Sequence, residues 1–259
     1  MNEQTTARSI TDPTQKLAWN LGFYGLCRRW AAVKDMPEIR QILELEEKER
    51  GERSLENRVR LSKIGRFAPM ADFDWKWPAE IDRLAVEELL TLQFLKEALN
   101  PILVGPNGVG KTMIAKNLAH RALLDGHTVR FITAAAMLGQ LAETDSPSVR
   151  RRQILALHKL DFLVIDEVGQ LSYDNRFADL FYEVISERYE HQRATLISTN
   201  KPFGQWDEIF PSKSTTVTII ERLTHRSEII QIKGPSYRRH EADERARAKA
   251  AARVTKGKA

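Results

Sequence analysis

The stretch that most constrains the fold is "PILVGPNGVGKTMIAKNLAH", in which a short apolar run leads through a glycine-containing loop into a helical pattern. Gly105 to Thr112 fit the phosphate-loop pattern G-x-x-x-x-G-K-[ST] without deviation. Glycines let successive backbone N–H groups turn towards phosphate oxygens, and the following helix adds the positive end of its dipole. The sequence therefore predicts a strand, a site for nucleotide phosphates and a helix, in that order.

The two residues that end this loop carry the chemistry of nucleotide binding. The Lys111 ammonium is predicted to neutralise the β- and γ-phosphates, and the Thr112 hydroxyl to ligate magnesium. The predicted nucleotide-binding residues are Gly105, Pro106, Asn107, Gly108, Val109, Gly110, Lys111, Thr112 and Met113.

A second motif, "DFLVIDE", ends an apolar strand in two carboxylates. Asp166 is placed to hold magnesium, and Glu167 beside it is placed to act as general base on the attacking water. In isolation, a strand that ends in solvated acids is common. Because this motif follows a phosphate loop, we predict ATP hydrolysis as well as ATP binding.

Polar and basic residues further along the chain extend this set. The strand candidate "ATLIST" ends in Ser198, Thr199 and Asn200, where a polar side chain is predicted either to orient water or sense the γ-phosphate, or simply to cap the strand. Arg222 and Arg238 have the permanent charge and bidentate geometry suited to a transferring phosphoryl group. Their spacing alone does not distinguish them from surface arginines.

The wider pattern predicts two domains and a tail. Four apolar runs, "PILVG", "TVRFIT", "DFLVIDE" and "ATLIST", alternate with helical segments, as in a parallel sheet covered on both faces. The preceding region lacks strand-like alternation and reads as three helices, the second beginning at Pro37 and the third in "SLENRVRLSKIGRF". We expect a helical domain over residues 1–70, an α/β nucleotide-binding domain over 71–238 and a tail over 239–259.

Charge and composition narrow the class of protein. From Arg238 onward the chain has eight Lys or Arg and three Asp or Glu residues, an excess equal to the whole net charge of +5. This end is either a solvated helix or a nucleic-acid contact. The single cysteine, Cys27, excludes an internal disulfide, and the six scattered histidines do not have metal-ligand spacing. No apolar run could span a bilayer and residues 1–16 lack the apolar core of a signal peptide, so we expect a cytoplasmic protein with no membrane partner.

Five stretches together resemble the IstB-like transposition helper ATPases of insertion sequences, AAA+ proteins close to the DnaC helicase loaders. They are "GPNGVGKT", "FLVIDEVG", "STN", "ERLTHRSEIIQIKGPSYR" and "LEEKERGERSLENRVRLSKIGRFAPMADFDW". The resemblance covers nearly the whole chain, from about Leu17 to Arg238. The phosphate loop is generic to many NTPases, whereas the "ERL…SYR" ending and the helical stretch before "ADFDW" are more specific.

The resemblance implies an AAA+ fold, the cofactors ATP and Mg²⁺, and roles for three residues. Arg222 would be the finger that reaches the nucleotide of a neighbouring subunit, Arg238 the arginine near the γ-phosphate in the same subunit, and Asn200 the first sensor. The implied partners are further copies of the chain in a ring or spiral, duplex DNA, and the transposase of the same element.

DNA contacts are predicted on two basic clusters. One is "SVRRRQ", with Arg150, Arg151 and Arg152, and the other is the helix carrying Arg58, Arg60, Lys63 and Arg66. Contacts with phosphates would make binding strongly salt-dependent. For either cluster, a solvated face with ordinary ion pairs is an equally good interpretation.

Three other functions remain open. A helicase loader would share the ATP-site residues and differ in its partner. A small-molecule phosphotransferase would need an arginine-rich lid, and the pair Asp166 and Glu167 argues against it. A nucleotide-gated DNA-binding scaffold would not turn ATP over, and Glu167 argues against it.

Overall fold

The structure is a computed structural model that describes residues 10–170 and 173–256. The start of the predicted N-terminal domain, most of the stretch used to exclude a signal peptide and the last three residues of the basic tail lie outside the described residues. The chain divides into two compact units, Met1–Asn57 and Arg58–Ala259.

The N-terminal unit is helical, as the sequence predicts. Asp12 begins its first helix by accepting hydrogen bonds from the backbone N–H groups of Thr14 and Gln15, while its other oxygen accepts from the Trp30 indole at 2.9 Å. A small core surrounds the buried Cys27, whose thiol pKa is raised by burial. The helices are α1 (Pro13–Asn20), α2 (Tyr24–Arg28), α3 (Trp30–Val33) and α4 (Pro37–Ser62).

The second and third predicted helices form one continuous helix, α4, of 26 residues. The prediction of a break was wrong because Gly51 can remain helical at a cost of only about 1 kcal/mol relative to alanine. The ion pair of Lys48 with Glu52 at 3.9 Å spans this position, and the pair of Arg50 with Glu46 at 2.5 Å lies in the turn before it.

The chain passes from the first unit to the second within α4, between Asn57 and Arg58. The predicted domain boundary after residue 70 stays a prediction. The last turn of α4 is tied to the second unit by two hydrogen bonds. The Arg58 guanidinium donates to the Leu123 carbonyl at 3.3 Å, and Arg130 donates to the Leu61 carbonyl at 3.1 Å. The end of α4 therefore packs as part of the second unit.

The second unit contains a six-stranded sheet in the order β1-β6-β2-β5-β4-β3. All neighbouring pairs are parallel except β1 with β6. The four predicted strands are confirmed as β2 to β5, and the edge strand β1 and the strand β6 were missed. The strands are β1 (Glu80–Ile81), β2 (Asn100–Val104), β3 (Val129–Thr133), β4 (Phe162–Val168), β5 (Thr195–Thr199) and β6 (Ser227–Lys233).

Helices cover both faces of this sheet, which confirms the predicted α/β class. Side chains alternate between the faces: Ile102 and Ile165 join a core with α8, α10 and α11, and Leu103 and Val164 point to the other face, where α7 lies. The helices are α5 (Arg83–Leu89), α6 (Gln93–Glu97), α7 (Lys111–Leu124), α8 (Ala134–Ala142), α9 (Pro147–His158), α10 (Asn175–Glu190), α11 (Lys213–Thr224) and α12 (Tyr237–Lys256). Within the described ranges, no helix has the length and apolar character needed to cross a bilayer.

Candidate nucleotide-binding site

The phosphate loop lies between the carboxyl end of β2 and the first turn of α7. It is packed too closely for side chains at all three of its glycines, Gly105, Gly108 and Gly110. A Cβ on Gly105 would lie 2.2 Å from the Ile232 carbonyl oxygen of β6, and Gly108 has φ 83° with its missing Cβ 2.1 Å from the Ser236 hydroxyl. The glycines therefore set both the curvature of the loop and its contact with neighbouring backbone.

Lys111 is folded over this loop and largely buried. Its ammonium donates to the carbonyl oxygens of Gly105 at 2.6 Å and Pro106 at 2.8 Å. The lysine pKa is lowered to about 8, chiefly because burial disfavours the charged form; the positive charge of Arg238 contributes to the lowering, whereas the carboxylates of Asp166 and Glu167 partly oppose it. Lys111 is thus a cation whose charge depends on its neighbours in the same cleft.

Asp166 is buried at the carboxyl end of β4, next to the start of α7. The Thr112 hydroxyl donates to its Oδ2 atom at 3.0 Å, and the Ser198 hydroxyl donates to its Oδ1 atom. Hydroxyl and carboxylate oxygens are ligands that Mg²⁺ prefers, usually with substrate phosphates completing the shell. No group of three or more His, Cys, Asp or Glu side chains in the described residues could hold a metal alone. The residues therefore fit a Mg²⁺ that would be shared with the phosphates of ATP.

Glu167 follows at an irregular point of β4, where the pairing with β5 shifts register between Ile165 and Val168. Its backbone is left-handed, with φ 62°, and its N–H donates to the Ser198 hydroxyl at 3.0 Å. The Glu167 side chain lines the same cleft as the phosphate loop. The structure therefore brings the predicted acidic pair to the loop.

This cleft has a volume of about 370 Å³ and is lined on one side by the phosphate loop. A second wall comes from the segment before β1 and the start of α12 and combines aromatic with charged residues. It contributes Asp72, Phe73, Asp74, Trp77, Pro78, Tyr237 and Arg238. The sequence did not predict that Phe73 and Trp77 line the site, because nothing in the composition of their segment indicates that they lie beside a loop about thirty positions away.

Arg238 reaches the cleft because the start of α12 is attached to the phosphate loop. The Tyr237 N–H donates to the Gly108 carbonyl at 2.9 Å. The Trp77 indole donates to the Pro235 carbonyl at 2.9 Å and stacks on His240 with ring centroids 4.2 Å apart. Arg238 and the phosphate loop, both predicted from the sequence, therefore line the same cleft.

Asn200 and Arg222 do not line this cleft, and they lie at different ends of the strands: Asn200 follows the carboxyl end of β5, next to the strand that leads into the phosphate loop. Asn200 lies beside Gly169, past the end of β4, and its amide oxygen is buried with no hydrogen-bond partner among the described residues. Arg222 lies on α11, over the rings of Tyr182 and Tyr189 at 5.0 Å and 5.6 Å, and 4.0 Å from Glu190.

The pocket around Arg222 lies at the amino ends of the strands. Its lining includes Asn100 and Thr195, the first residues of β2 and β5, together with Arg226. The phosphate loop follows the carboxyl end of β2. Arg222 therefore lies at the amino ends of the parallel strands, and the phosphate loop of its own chain lies at their carboxyl ends.

The predicted DNA-binding residues differ in what they already contact. In α9, Arg150 donates to the Thr144 carbonyl at 2.7 Å and Arg151 pairs with Glu187 at 2.5 Å, while Arg152 is exposed. Arg58 donates to a carbonyl of α7, as described above. Arg60 is exposed near the end of α4, and Lys63 follows that helix in a left-handed conformation, φ 57°.

A phosphate loop after a central strand, the parallel order β6-β2-β5-β4-β3 and an acidic pair on β4 define an ATP-binding domain of the AAA+ class. A model of the family described as IstB-like ATP binding protein matches residues 31–245. The chain belongs to this IstB-like family.

Individual relatives agree with this assignment. The chain is 32% identical over 225 residues to the insertion sequence IS5376 putative ATP-binding protein of Geobacillus stearothermophilus, covering 83% of this chain and 89% of the relative. It is 33% identical over 189 residues to the corresponding IS21 protein of Pseudomonas aeruginosa, covering 73% and 71%. The crystal structure of DnaI matches with a TM-score of 0.54 at 19% identity, over 65% of this chain and 89% of that chain, a similarity of fold alone.

Proposed function

We propose that this protein hydrolyses ATP with Mg²⁺ at interfaces between its own copies, and that the ATP-dependent assembly on duplex DNA assists the transposase of an insertion sequence. The observation that carries the proposal is that Arg222 lies at the amino ends of the strands, whereas its own phosphate loop lies at their carboxyl ends. An arginine placed there serves the nucleotide of a neighbouring copy rather than its own.

In this proposal each residue of the site has a separate role in ATP binding or hydrolysis. The phosphate loop and Lys111 bind the β- and γ-phosphates, and Arg238 adds positive charge from the same chain. Thr112 and Asp166 would hold Mg²⁺, which offsets the charge of the phosphates. Glu167 accepts a proton from the attacking water, and Asn200 helps to orient that water. Arg222 from the neighbour stabilises the charge that develops on the transferred phosphoryl group.

The assignment of Glu167 is tested by Glu167→Gln. We expect ATP affinity to remain and hydrolysis to fall by about 100-fold or more, since general-base assistance contributes roughly 10²–10⁴-fold. Phosphate release and ATP calorimetry measure the two effects. An unchanged rate would remove the general-base role of Glu167, whereas a parent chain that binds ATP without releasing phosphate would favour a nucleotide-gated scaffold.

The interface is tested by mixing two inactive variants. Lys111→Ala lacks its own phosphate contact and Arg222→Ala lacks the finger, so each alone should be inactive. In a mixture, some interfaces combine an intact loop from one chain with an intact Arg222 from the other, and we expect part of the activity to return. If the mixture stays inactive while both variants assemble with the parent chain, the role of Arg222 in trans is wrong.

The proposed partners are DNA and a transposase. Support comes from the relatives, which are named as insertion-sequence proteins, and from the basic C-terminal segment. We expect duplex DNA to be retarded in gels with ATP and much less with ADP, and equal retardation would remove the nucleotide switch. Pull-down with the transposase encoded beside the gene, compared with the host replicative helicase, distinguishes this function from helicase loading.

A further inference from the structure

Ser198 links the two carboxylates of β4 through one hydroxyl group. It lies in β5 and is only 1% exposed. Its oxygen donates a hydrogen bond to Asp166 Oδ1 and accepts one from the Glu167 N–H at 3.0 Å. A hydroxyl has one hydrogen and two lone pairs, so both bonds can form at the same time.

The bond to Glu167 occurs where the backbone most needs a partner. Glu167 has φ 62°, a conformation that costs a non-glycine residue free energy and persists only when its surroundings hold it. The register shift between Ile165 and Val168 removes the regular β5 partner of this segment. The Ser198 oxygen replaces that partner for the Glu167 N–H, since a buried donor left unpaired would be costly.

The bond to Asp166 completes a pair of contacts. Thr112 donates to one carboxylate oxygen and Ser198 to the other. Two donors on two oxygens fix the plane of the carboxylate as well as its position. One side of this clamp is the residue that ends the phosphate loop, and the other is the strand neighbouring β4.

We propose that Ser198 is a positioning residue for ATP hydrolysis, whose hydroxyl holds Asp166 in orientation towards the Mg²⁺ and water it would contact and keeps Glu167 in the left-handed conformation that directs its side chain into the cleft. The inference rests on the proposed function, because it needs Glu167 to act on water. It adds a residue that acts through Asp166 and Glu167.

Ser198→Ala tests the proposal, because it removes a single oxygen. We expect kcat to fall by about 10- to 100-fold, the scale of a small misplacement of catalytic groups. By calorimetry, ATP affinity without Mg²⁺ should change by less than about threefold, while the gain in affinity on adding Mg²⁺ should shrink. A parental kcat in a folded Ser198→Ala protein would overturn the proposal.

Ser62→Ala is the matched control. Ser62 is also fully buried, and its hydroxyl likewise accepts a backbone N–H, that of Ile64, while donating to the Val59 carbonyl, away from the cleft. It should lose stability without loss of kcat. If Ser198→Ala does not fold, Ser198→Cys keeps a weak donor and should give an intermediate kcat, and a parental kcat in that variant would count against the proposal.

A double variant separates this inference from the proposed function. The part of the Ser198 effect that acts through Glu167 cannot be lost twice, so adding Ser198→Ala to Glu167→Gln should lower kcat by a smaller factor than in the parent chain, because interacting residues give non-additive losses. Losses that multiply in full would overturn the link between Ser198 and Glu167. A Glu167→Gln protein with full activity would instead overturn the general-base role of Glu167 in the proposed function, on which the inference rests.

Discussion

Lys111 is the residue whose behaviour depends most on its surroundings. Burial and the charge of Arg238 both disfavour its protonated form, which leaves its pKa at about 8. The ammonium is fully present below this pH and is lost above it. ATP, which carries several negative charges, binds the protonated form, so above pH 8 binding must be accompanied by proton uptake.

We therefore predict that ATP binds about 10-fold more weakly at pH 9 than at pH 7, the result of linkage to one group that titrates near pH 8. Calorimetry at both pH values, in buffers of different ionisation enthalpy, measures the affinity and the proton uptake. Lys111→Ala should bind weakly at both pH values, without this difference.

Arg238→Gln provides a second check on the same residue. Removal of the positive charge raises the Lys111 pKa, so the decline in affinity should begin at a higher pH, even though binding is weaker overall. A decline that begins at the same pH would mean that the Arg238 charge does not reach the Lys111 ammonium in solution.

At the scale of elements, the phosphate loop and β6 touch backbone to backbone. A Cβ on Gly105 meets backbone that cannot rotate away, the Ile232 carbonyl oxygen. We predict that Gly105→Ala lowers the free energy of unfolding by about 2 kcal/mol or more, as overpacking does in well-packed cores, and also weakens ATP binding.

Gly139→Ala is the control for this substitution. Gly139 lies within α8, where nothing occupies the space of a Cβ. Alanine there should raise the free energy of unfolding by about 0.5–1 kcal/mol. Urea denaturation compares the two variants, and similar losses in both would show that the contact with β6 is not the cause.

The sequence predicted those elements whose apolar residues are continuous. Strands β2 to β5 are buried on both faces and read as apolar runs. Strand β6 was missed because Ile230 and Ile232 alternate with exposed polar residues, so the stretch does not read as an apolar run. It was instead interpreted as part of the "ERL…SYR" motif. Helix α4 was divided at Gly51 because a glycine in a polar segment looks the same whether a helix ends there or continues.

At the scale of the whole molecule, the basic clusters make different predictions for each arginine. Arg151 already pairs with Glu187 and lies 3.5 Å from Glu183, whereas Arg152 is exposed with no ion pair among the described residues. We predict that Arg152→Gln lowers duplex DNA affinity and reduces the slope of log affinity against log salt by about 0.9, the value for one phosphate contact.

Arg151→Gln should leave that slope nearly unchanged, because its charge is largely neutralised within the protein. Filter binding at several salt concentrations compares the two variants on the same duplex. Equal effects, or none for Arg152→Gln, would indicate that α9 does not lie against DNA.

The motifs predicted which residues form the nucleotide site, but they did not predict how distant segments are arranged around it. The phosphate loop and the acidic pair are local patterns, so their neighbours follow from spacing. Arg222 and the aromatic wall at Phe73 and Trp77 depend on how distant segments pack, which no spacing reveals. The sequence named Arg222 through a resemblance, but only the fold places it beside Tyr182 and Tyr189, at the amino ends of the strands.

The separation of Arg222 from the phosphate loop has a geometric consequence for any stack that joins them. Each junction would be head-to-tail, so the stack would have polarity. The subunit at one terminus would bind a nucleotide that no neighbouring Arg222 contacts, and the subunit at the other terminus would have an Arg222 that contacts no nucleotide. New subunits arriving at the two termini would meet different chemistry. DNA on the two sides of such an assembly would then be inequivalent, and a partner that recognises one terminus would act in a single direction.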